Sequence, residues 1–581
     1  MLLMGSDFQY TNANQWYVNL DKIVQHFAAN SSYGLRVFYS TPTCYVKALN
    51  EAAPQLPTKS DDFFPYASSN HSFWTGYFTS RPTFKGMIRD ASAALQRASA
   101  LAQHHDAVTG TAKENVTRDY ERRLAVALKE GETVINDAMV QLASKPSAKM
   151  PFPRQSVCTL SNETVCDPIK DLSTFSVTIF NPRGHHMKQI VRIPYYSKAA
   201  LVVDGKGARV DAQIQKTMQN QVAAYRNRAP FELFLPVSVA PLGFSTYFID
   251  NSTSIRSARV THPVKASNTT EDWIENQYIR VVFDEAGLVS AIVDKTTNES
   301  RPFKQDQIVR VVNGSRDVEF IWTVGPIPKE QGSPIAKEIV TRYSTGIKSG
   351  GVFYTDANGR QMMKRTRNAH PSFTYEDTEP VAANYYPITS SAYLRDDASQ
   401  LTVLTDRAQG ASSMVDGAID VMLHRRLFVD DHWGVEEALD EPGVDGKGLV
   451  ATGVHVVQIG STKDAPTRAR IGAHNVFHAP ILAVADVSKL TEYRENFVTT
   501  FAGLKRPLPP NAHILTLAKW NGRQIILRLE HLFQSSEDPS VEAPVSVDLK
   551  DLFTTLRVTG KREVLLAGIR EPPVSMRNSR F

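Results

Sequence analysis

The sequence predicts an α+β multidomain protein, in which the remnant of an α/β domain precedes a helical-bundle domain and then all-β sandwich domains. Three observations support this class. A chain of 581 residues is too long for one core; apolar side chains between positions 82 and 143 recur with a helical period; and short β-branched and aromatic runs dominate after position 174. We expect domains at 1–65, 66–150, 151–485 and 486–581.

Composition excludes some function classes. The chain has 42% hydrophobic and 22% charged residues, as globular proteins do. Its formal net charge of +5 is spread thinly, without a basic stripe, so we expect no nucleic-acid partner. No apolar run reaches the ~20 residues that a spanning helix needs, so we expect no membrane span.

The first 65 residues have the pattern of α/β pieces. An apolar run at 1–4 predicts a buried strand, and Asp7 then falls at its carboxyl end, where open α/β folds place ligands. A helix at about 14–28 and a strand at 35–39 follow. Two strands and two helices form too small a core to stand alone. We therefore expect a preceding segment outside this sequence, which also has no signal-peptide pattern at its start.

Residues 73–82 contain four aromatic side chains with Gly76 and Arg81. Aromatic faces pack against flat ligands, so the segment is a candidate wall of a sugar site. The same composition is typical of a hydrophobic linker clamped between domains, which composition alone favours.

A predicted helix at 84–103 leads into Gln103-His104-His105-Asp106 and a turn. Its apolar rhythm predicts His105 on the buried face and His104 about 100° away. Thr111 and Glu114 have capping-box spacing, which predicts a second helix beginning near Ala112. The two helices should form a hairpin.

The imidazoles and carboxylate of this corner suggest two interpretations. Neutral imidazole is a common metal ligand, and an adjacent carboxylate can bind the metal, its ligand or a substrate hydroxyl. A zinc site, however, usually needs three or four protein ligands. The alternative is a satisfied core histidine, an exposed His104 and a capping Asp106, and the local sequence leaves both open.

Cysteines and glycosylation sequons indicate the secretory route. Cys158 and Cys166 lie eight residues apart in a polar loop that a disulfide could close, whereas Cys44 has no evident partner. Eight Asn-x-Ser/Thr sequons occur. A secretory or lysosomal history is therefore favoured over a cytosolic one.

The rest of the chain is predicted to be β structure, with one large and one or two smaller sandwiches. The predicted strands are 174–181, 189–195, 231–237, 246–250, 278–283, 318–323, 401–405, 454–459, 514–520 and 524–533. Two polar and aromatic clusters, at 384–387 and 424–431, are expected to be exposed loops and paired surface charges.

Several long motifs, in the same order, resemble those of the lysosomal class of α-mannosidases, glycoside hydrolase family 38, over essentially the whole chain. They are Met4-Gly-Ser-Asp-Phe-Gln-Tyr10, Tyr39-Ser-Thr-Pro-Thr-Cys-Tyr45, Asp61-Asp-Phe-Phe-Pro-Tyr66, Phe73-Trp-Thr-Gly-Tyr-Phe-Thr-Ser-Arg-Pro82, Gln103-His-His-Asp-Ala-Val-Thr-Gly-Thr111, Pro241-Leu-Gly-Phe-Ser-Thr-Tyr247, Asn384-Tyr-Tyr-Pro387, Arg425-Arg-Leu427 and Arg528-Leu-Glu-His531.

The resemblance implies a role for each matched residue. His105 is similar to the family's zinc ligand from the helical region, and Asp106 to the carboxylate that binds mannose hydroxyls. Asp7 matches the general acid/base, and Trp74 the aromatic wall. One tyrosine of Tyr385-Tyr386 is expected at the substrate, with Tyr386 our choice.

The family's mechanism is retaining, with a nucleophilic carboxylate and an acid/base about 5 to 5.5 Å apart. The resemblance implies one zinc per site and mannose-containing N-glycan oligosaccharides as substrates. The family's nucleophile and remaining zinc ligands lie before the Gly-Ser-Asp motif, outside this sequence. The chain alone is therefore expected to bind zinc weakly and not to hydrolyse mannosides.

Two hypotheses follow for the chain. It is either the carboxyl-terminal part of an α-mannosidase or a non-catalytic carbohydrate-binding or assembly subunit. Its expected protein partners are the missing amino-terminal segment or a second copy in a homodimer. An open reading frame that continues upstream of Met1 would favour the first hypothesis.

Overall fold

The computed structural model describes residues 4–7, 9–94, 100–217, 228–251, 259–261, 272–285, 287–297, 299–305, 308–370, 372, 376–432, 434–535 and 537–565. The chain divides into two compact units. Unit 1 comprises 1–64 and 428–439, and unit 2 comprises 65–427 and 440–581.

The helices are α1 Ala13–Ala29, α2 Pro42–Ala52, α3 Pro82–Ala94, α4 Glu114–Ala143, α5 Ala465–Phe477 and α6 Leu490–Asn496. The strands are β1 Ala67–Ser69, β2 Ser72–Phe73, β3 Ser156–Val157, β4 Thr174–Phe180, β5 Met187–Tyr195, β6 Leu201–Val203, β7 Gln213–Lys216, β8 Phe231–Val239, β9 Phe244–Asp250, β10 Arg259–Thr261, β11 Asp272–Glu275, β12 Ile279–Phe283, β13 Val289–Asp294, β14 Glu299–Gln305, β15 Ile308–Val311, β16 Val318–Val324, β17 Lys337–Thr345, β18 Val352–Ala357, β19 Gln361–Thr366, β20 Tyr386–Ile388, β21 Ser391–Arg395, β22 Ser399–Thr405, β23 Gln409–Ser412, β24 Ala418–Arg426, β25 Ala451–Ser461, β26 Ile481–Asp486, β27 Thr500–Phe501, β28 Ala512–Lys519 and β29 Ile525–His531. The predicted class, with few helices and many antiparallel sheets, is confirmed.

Unit 1 has helices but no strand among its described residues. The predicted helix is confirmed as α1, while 35–39 forms neither strand nor helix. The strand predicted there is therefore wrong, because a strand forms only where another backbone can pair with it. Of the strand predicted at 1–4, residues 1–3 lie outside the described residues. No described residue of unit 1 is buried.

Helices α3 and α4 of unit 2 pack as the predicted hairpin. Phe84, Ile88 and Ala91 of α3 bury their side chains with Leu124 of α4, and Tyr120 completes the contact. Fully burying one such large apolar side chain contributes about 1.5–3 kcal/mol. The hairpin therefore has its own small core.

A first sandwich pairs a six-stranded sheet with a four-stranded one. The sheet orders are β27-β9-β4-β26-β3, with β6 on β9, and β10-β7-β8-β5. Val177 and Ile179 face Ile193, Leu233 and Leu235 in its core. Because β27 pairs with β9, the chain crosses the predicted boundary at 485/486 while it is still part of this sandwich.

A larger sandwich is inserted between β10 and α5. Its sheets have eight strands, β11-β12-β13-β14-β17-β24-β23-β20, and seven strands, β15-β16-β25-β22-β21-β18-β19. Its interior includes a polar chain in which the Tyr343 hydroxyl lies 2.8 Å from His455 Nδ1, and His455 Nε2 lies 2.9 Å from Gln409 Oε1. The β28–β29 hairpin follows as a separate two-stranded sheet.

All ten strands predicted after position 174 are confirmed, and so is the number of sandwiches. A disulfide joins Cys158 to Cys166, and Cys44 is free and exposed. Among the described residues, no helix combines the length and apolar character that crossing a membrane requires.

Candidate active site

The loop at 103–111 lies between α3 and α4 and is hydrogen-bonded to a side chain of α3. Lys85 of α3 is buried, and its ammonium donates hydrogen bonds to the carbonyls of Val108 and Thr109, both at 2.8 Å. Gly110 has a φ of +78°, and a Cβ there would lie 2.6 Å from the carbonyl oxygen of Ser80. The loop therefore follows a path that only glycine allows at this point.

The side chains of His104, His105 and Asp106 converge above this loop. Asp106 Oδ2 lies 3.2 Å from His104 Nε2 and 3.7 Å from His105 Nε2, and the two rings are 4.4 Å apart. Asp106 Oδ1 accepts a hydrogen bond from Thr111 Oγ1 at 3.0 Å. The structure thus groups two imidazoles with the Asp106 carboxylate, whose Oδ1 is held by the hydrogen bond from Thr111.

The predicted burial of His105 is wrong, since 86% of its side chain is exposed. The helical rhythm fails because the residues from Gln103 onward form turns. The alternative of a satisfied core histidine therefore does not apply. His104, which the sequence predicts to be exposed, faces the same carboxylate and is therefore a further candidate site residue.

The predicted capping box is also wrong. Helix α4 begins at Glu114, after Lys113, and Thr111 bonds to Asp106 instead of capping it. Glu114 pairs with Arg81 at 2.5 Å and with Arg118 at 3.0 Å. The buried Arg81 guanidinium requires a carboxylate partner, and this requirement overrides the local capping pattern.

A buried charge cluster underlies the loop. Arg81 bonds Glu441 at 3.1 Å as well as Glu114, and its second terminal nitrogen donates to the carbonyl of Ala112. Burial raises the pKa of Glu441 to about 7 and lowers that of Lys85 to about 7. Arg81 belongs to the motif at 73–82 and Glu114 to the predicted capping box, whereas no motif marks Lys85 or Glu441. The available signal was a lysine within the otherwise apolar start of α3.

The donor atoms of the loop fit a zinc ion. In a tetrahedral site with bonds of 2.0–2.1 Å, neighbouring ligand atoms lie about 3.3 Å apart. The two nitrogen-to-oxygen separations of 3.2 and 3.7 Å bracket this value. Three donors leave one tetrahedral position open. His104, His105 and Asp106 are therefore the residues of this loop that would hold such a metal.

The aromatic segment at 73–82 is mostly interior. Phe78, Thr79 and Ser80 are buried, Gly410 donates to Thr79 Oγ1 at 2.9 Å, and Gly76 lies against the Arg425 guanidinium. This part of the segment matches the clamped-linker interpretation.

Trp74 is half-buried, as are Phe73 and Tyr77 of the same segment. Its indole nitrogen donates to Ser68 Oγ at 3.0 Å, and its ring meets Tyr66 edge-on at 5.4 Å. These contacts fix the orientation of a ring that keeps some exposed surface. Trp74 therefore remains a candidate for stacking on a sugar.

Residues 384–386, His424 and Arg426 are buried, so the exposure predicted for them is wrong, whereas Val429 and Asp431 of the cluster at 424–431 are exposed as predicted. Tyr386, our sequence-based choice, is 1% exposed, with its hydroxyl 3.4 Å from His370 Nε2 and the Arg365 guanidinium over its ring. Tyr385 lies against Gly410, beside the 73–82 segment. Burial, with Asp420 nearby, raises the Tyr385 pKa.

Asp7 belongs to unit 1, where it is exposed in a turn. The described residues 4–7 form no strand, so its predicted position at the carboxyl end of a buried strand is not observed. The remaining predicted residues, Trp74, His105, Asp106 and the tyrosine pair, lie in unit 2.

Three models of one family match the chain in order. They are the N-terminal domain of glycosyl hydrolases family 38 at residues 1–69, the alpha mannosidase middle domain at 93–142, and the family 38 C-terminal domain at 301–433. The third match covers strands of the larger sandwich.

Curated relatives match nearly the whole chain. The lysosomal alpha-mannosidase of Mus musculus is 35% identical over 98% of this chain and 64% of its own length, and that of Homo sapiens is 34% identical over 97% and 64%. The alpha-mannosidase of Canavalia ensiformis is 29% identical over 98% and 68%. The chain thus spans about two thirds or less of the length of the mammalian relatives.

A solved structure has a similar fold. The alpha-mannosidase from Enterococcus faecalis V583 superposes with a TM-score of 0.55 at 12% identity, over 86% of this chain and 68% of that one. The order of the three matched domains, the identity to the mammalian proteins and this common fold agree. The chain belongs to glycosyl hydrolase family 38.

Proposed function

We propose that the chain serves the retaining hydrolysis of α-linked mannose from the ends of N-glycan oligosaccharides. The observation that carries this proposal is the convergence of His104, His105 and Asp106 at spacings suited to zinc, within a chain of this family. Family membership alone would not specify a site, since one fold hosts many functions.

In this proposal zinc, bound by His105 with His104 close by, would polarise vicinal mannose hydroxyls and orient the sugar. Asp106 accepts hydrogen bonds from those hydroxyls while Thr111 holds its other oxygen. Trp74 packs its exposed ring surface against the apolar face of the sugar. These residues of unit 2 bind and orient the substrate. Asp7 of unit 1 is assigned the proton transfer to the leaving oxygen by its family motif alone.

The chain by itself is proposed to be a poor enzyme. A retaining mechanism requires a nucleophile in addition to an acid/base, and the loop supplies no carboxylate beyond the one assigned to substrate hydroxyls. Asp7 as acid/base contributes only about 10² to 10⁴-fold. Once Asp106 is assigned to the substrate, two imidazoles of an exposed loop are left to hold zinc, and they would hold it weakly.

Incubation of the purified 581-residue chain with zinc and an aryl α-mannoside tests whether the chain by itself is a poor enzyme. We expect no turnover above the zinc-only background, and enzyme-like turnover would contradict it. The substrate class is tested separately by saturation-transfer NMR with zinc present. Methyl α-mannoside should give a stronger signal than methyl α-glucoside, and equal signals would count against a mannosidase site.

We also propose that unit 1 binds a protein partner. None of its described residues is buried, and Phe38, Val46 and Phe63 are among its exposed large apolar side chains. Exposed apolar surface of this extent marks interaction sites. The occupant would be either further polypeptide of the same gene product or a second copy. Sedimentation of the purified chain separates a homodimer from a monomer.

The same surface favours the alternative function, a non-catalytic carbohydrate-binding or assembly subunit. That alternative predicts mannoside binding that persists after zinc is removed with EDTA. Loss of binding on EDTA treatment favours the hydrolase site. Residence in the lysosome is inferred from the named mammalian relatives, and digestion with a glycosidase that removes N-glycans would show whether the sequons are used.

A further inference from the structure

Three histidines of unit 2 meet where α5 ends against the β28–β29 hairpin. His474 lies in the last turn of α5, His478 is the C-cap one helical turn later, and His513 lies on β28. Their ring centroids are 4.5 Å apart for His474 and His478, 4.4 Å for His474 and His513, and 4.6 Å for His478 and His513. The H-x-x-x-H spacing places two imidazoles on one helix face, as in many zinc sites.

Three of the six ring nitrogens of this triad are buried without a hydrogen-bond partner among the described residues. His513 is 1% exposed, yet neither of its ring nitrogens, nor Nε2 of His474, has a partner among the described residues. A neutral imidazole carries one donor and one acceptor, and burying either unpaired is unfavourable.

Neighbouring histidines behave differently. His185 Nε2 lies 2.9 Å from the carbonyl of Pro509, and both ring nitrogens of His531 contact backbone carbonyls. The fold therefore satisfies the polar atoms of histidines around the triad but leaves the triad's inward nitrogens free.

A carboxylate stands beside the triad. Glu530 Oε1 lies 4.0 Å from His513 Nε2, while Oε2 pairs with Arg360 at 2.7 Å. A cavity of about 540 Å³ is lined by His474, His478 and Glu530, and it gives a small ion a path to the donors.

The distances between the ligand atoms of the three histidines suit an ion of the size of zinc. One ligand atom from each histidine lies within 4.8 Å of the other two, so a central ion would lie at most about 2.8 Å from each. Shifts of about 0.7 Å would reach the 2.0–2.1 Å of zinc–nitrogen bonds.

Three arginines near the triad, Arg183, Arg89 and Arg360, repel a cation. Glu530 compensates Arg360 directly, and Arg183 is turned toward Asn475 and Gln189.

We propose that His474, His478 and His513, with Glu530 as fourth donor, form a structural site for zinc or a similar late first-row divalent metal. Imidazole ligands suit these metals. The bound ion would join the end of α5 to the β28–β29 hairpin. It would stabilise the fold and take no part in substrate chemistry.

The test uses the full chain, stripped with EDTA and titrated with Zn²⁺, in four forms: wild type, His105→Ala, His478→Gln and His186→Gln. His186 is an exposed histidine outside all the clusters and serves as the matched control. His105→Ala weakens the loop site, so that binding at the triad is measured separately.

We expect wild type, H105A and H186Q to bind zinc at the triad with the same rise in melting temperature, and H478Q to bind at least tenfold more weakly without that rise. Equal zinc affinity and melting shift in H478Q and H186Q would overturn the proposal. So would the absence of zinc binding in H105A.

X-ray absorption of zinc-loaded H105A covers the case in which H478Q does not fold. Three imidazole ligands and one or more oxygen ligands are expected. A spectrum with fewer than three imidazoles would place the ion elsewhere and overturn the proposal.

Discussion

Lys85 is the residue on which the candidate loop most depends. Its ammonium is the hydrogen-bond donor to two consecutive loop carbonyls, Val108 and Thr109. A buried carbonyl that loses its partner costs about 1–3 kcal/mol.

We predict that Lys85→Met lowers the free energy of unfolding by about 2 kcal/mol, measured in urea, and weakens zinc binding at His105. Lys113→Met is the control, because Lys113 is exposed at the start of α4. If both variants unfold within about 0.5 kcal/mol of wild type, Lys85 does not hold the loop.

At the residue scale, the sequence located the loop but not its geometry. Family resemblance pointed to His105 and Asp106, and the structure shows them converging with His104. Helical periodicity misplaced His105, because periodicity applies only while a helix continues, and here turns begin at Gln103. Lys85 carried no motif, since its role comes from carbonyls that turn toward it only in the folded chain.

The two tyrosines of the pair have different surroundings. Tyr386 is enclosed by His370 and Arg365, whereas Tyr385 lies beside the 73–82 segment through Gly410. We predict that Tyr385→Phe, rather than Tyr386→Phe, weakens methyl α-mannoside binding measured by NMR. The opposite result would restore the sequence-based choice of Tyr386.

At the element scale, Gly110 sets the turn that ends the loop. It combines a φ of +78° with a backbone contact at Ser80 that a Cβ would enter. Gly332 provides a matched control, because its φ is +88° and nothing lies within 4 Å of the position of a Cβ.

Gly332→Ala should lower the free energy of unfolding by about 1–2 kcal/mol, because alanine is strained in a left-handed backbone conformation. Gly110→Ala should lose at least about 1–3 kcal/mol more, because the loop must move away from Ser80. Thermal unfolding of both variants measures the difference. Equal losses of unfolding free energy in the two variants would mean that the close contact with Ser80 does not affect stability.

The strands of the sandwiches could be predicted because each carries its own pattern of β-branched and aromatic residues, and each found a partner. The strand expected at 35–39 has the same pattern but no described backbone to pair with. The start of α4 differs from the prediction for another reason. Glu114 pairs with the buried Arg81 instead of forming the predicted cap. The H-x-x-x-H at His474 and His478 was readable in the sequence, but its third histidine is reached only through the fold.

At the scale of the whole molecule, buried histidines make stability depend on pH. Burial lowers the pKa of His424 and of His455 to about 4. In the unfolded chain these groups take up a proton near pH 6.5, so the unfolded state binds more protons between about pH 6.5 and 4. Their contribution to stability is complete above pH 6.5 and is lost as the pH falls through about 4.

We predict that His424→Gln reduces the fall in unfolding free energy between pH 6 and 4.5, by up to about 1.4 kcal/mol per pH unit relative to wild type. Urea unfolding at several pH values measures it, with the exposed His186→Gln as control. A slope identical to wild type in the His424 variant would show that His424 titrates alike in both states.

The proposed function depends on one assignment, that Asp106 and its neighbouring histidines bind mannose. The most direct measurement is the affinity for methyl α-mannoside, with zinc present, of wild type, Asp106→Asn and the exposed-surface control Asp119→Asn. We predict at least a tenfold loss for Asp106→Asn and no change for Asp119→Asn. Wild-type affinity in Asp106→Asn would contradict the assignment and the function derived from it.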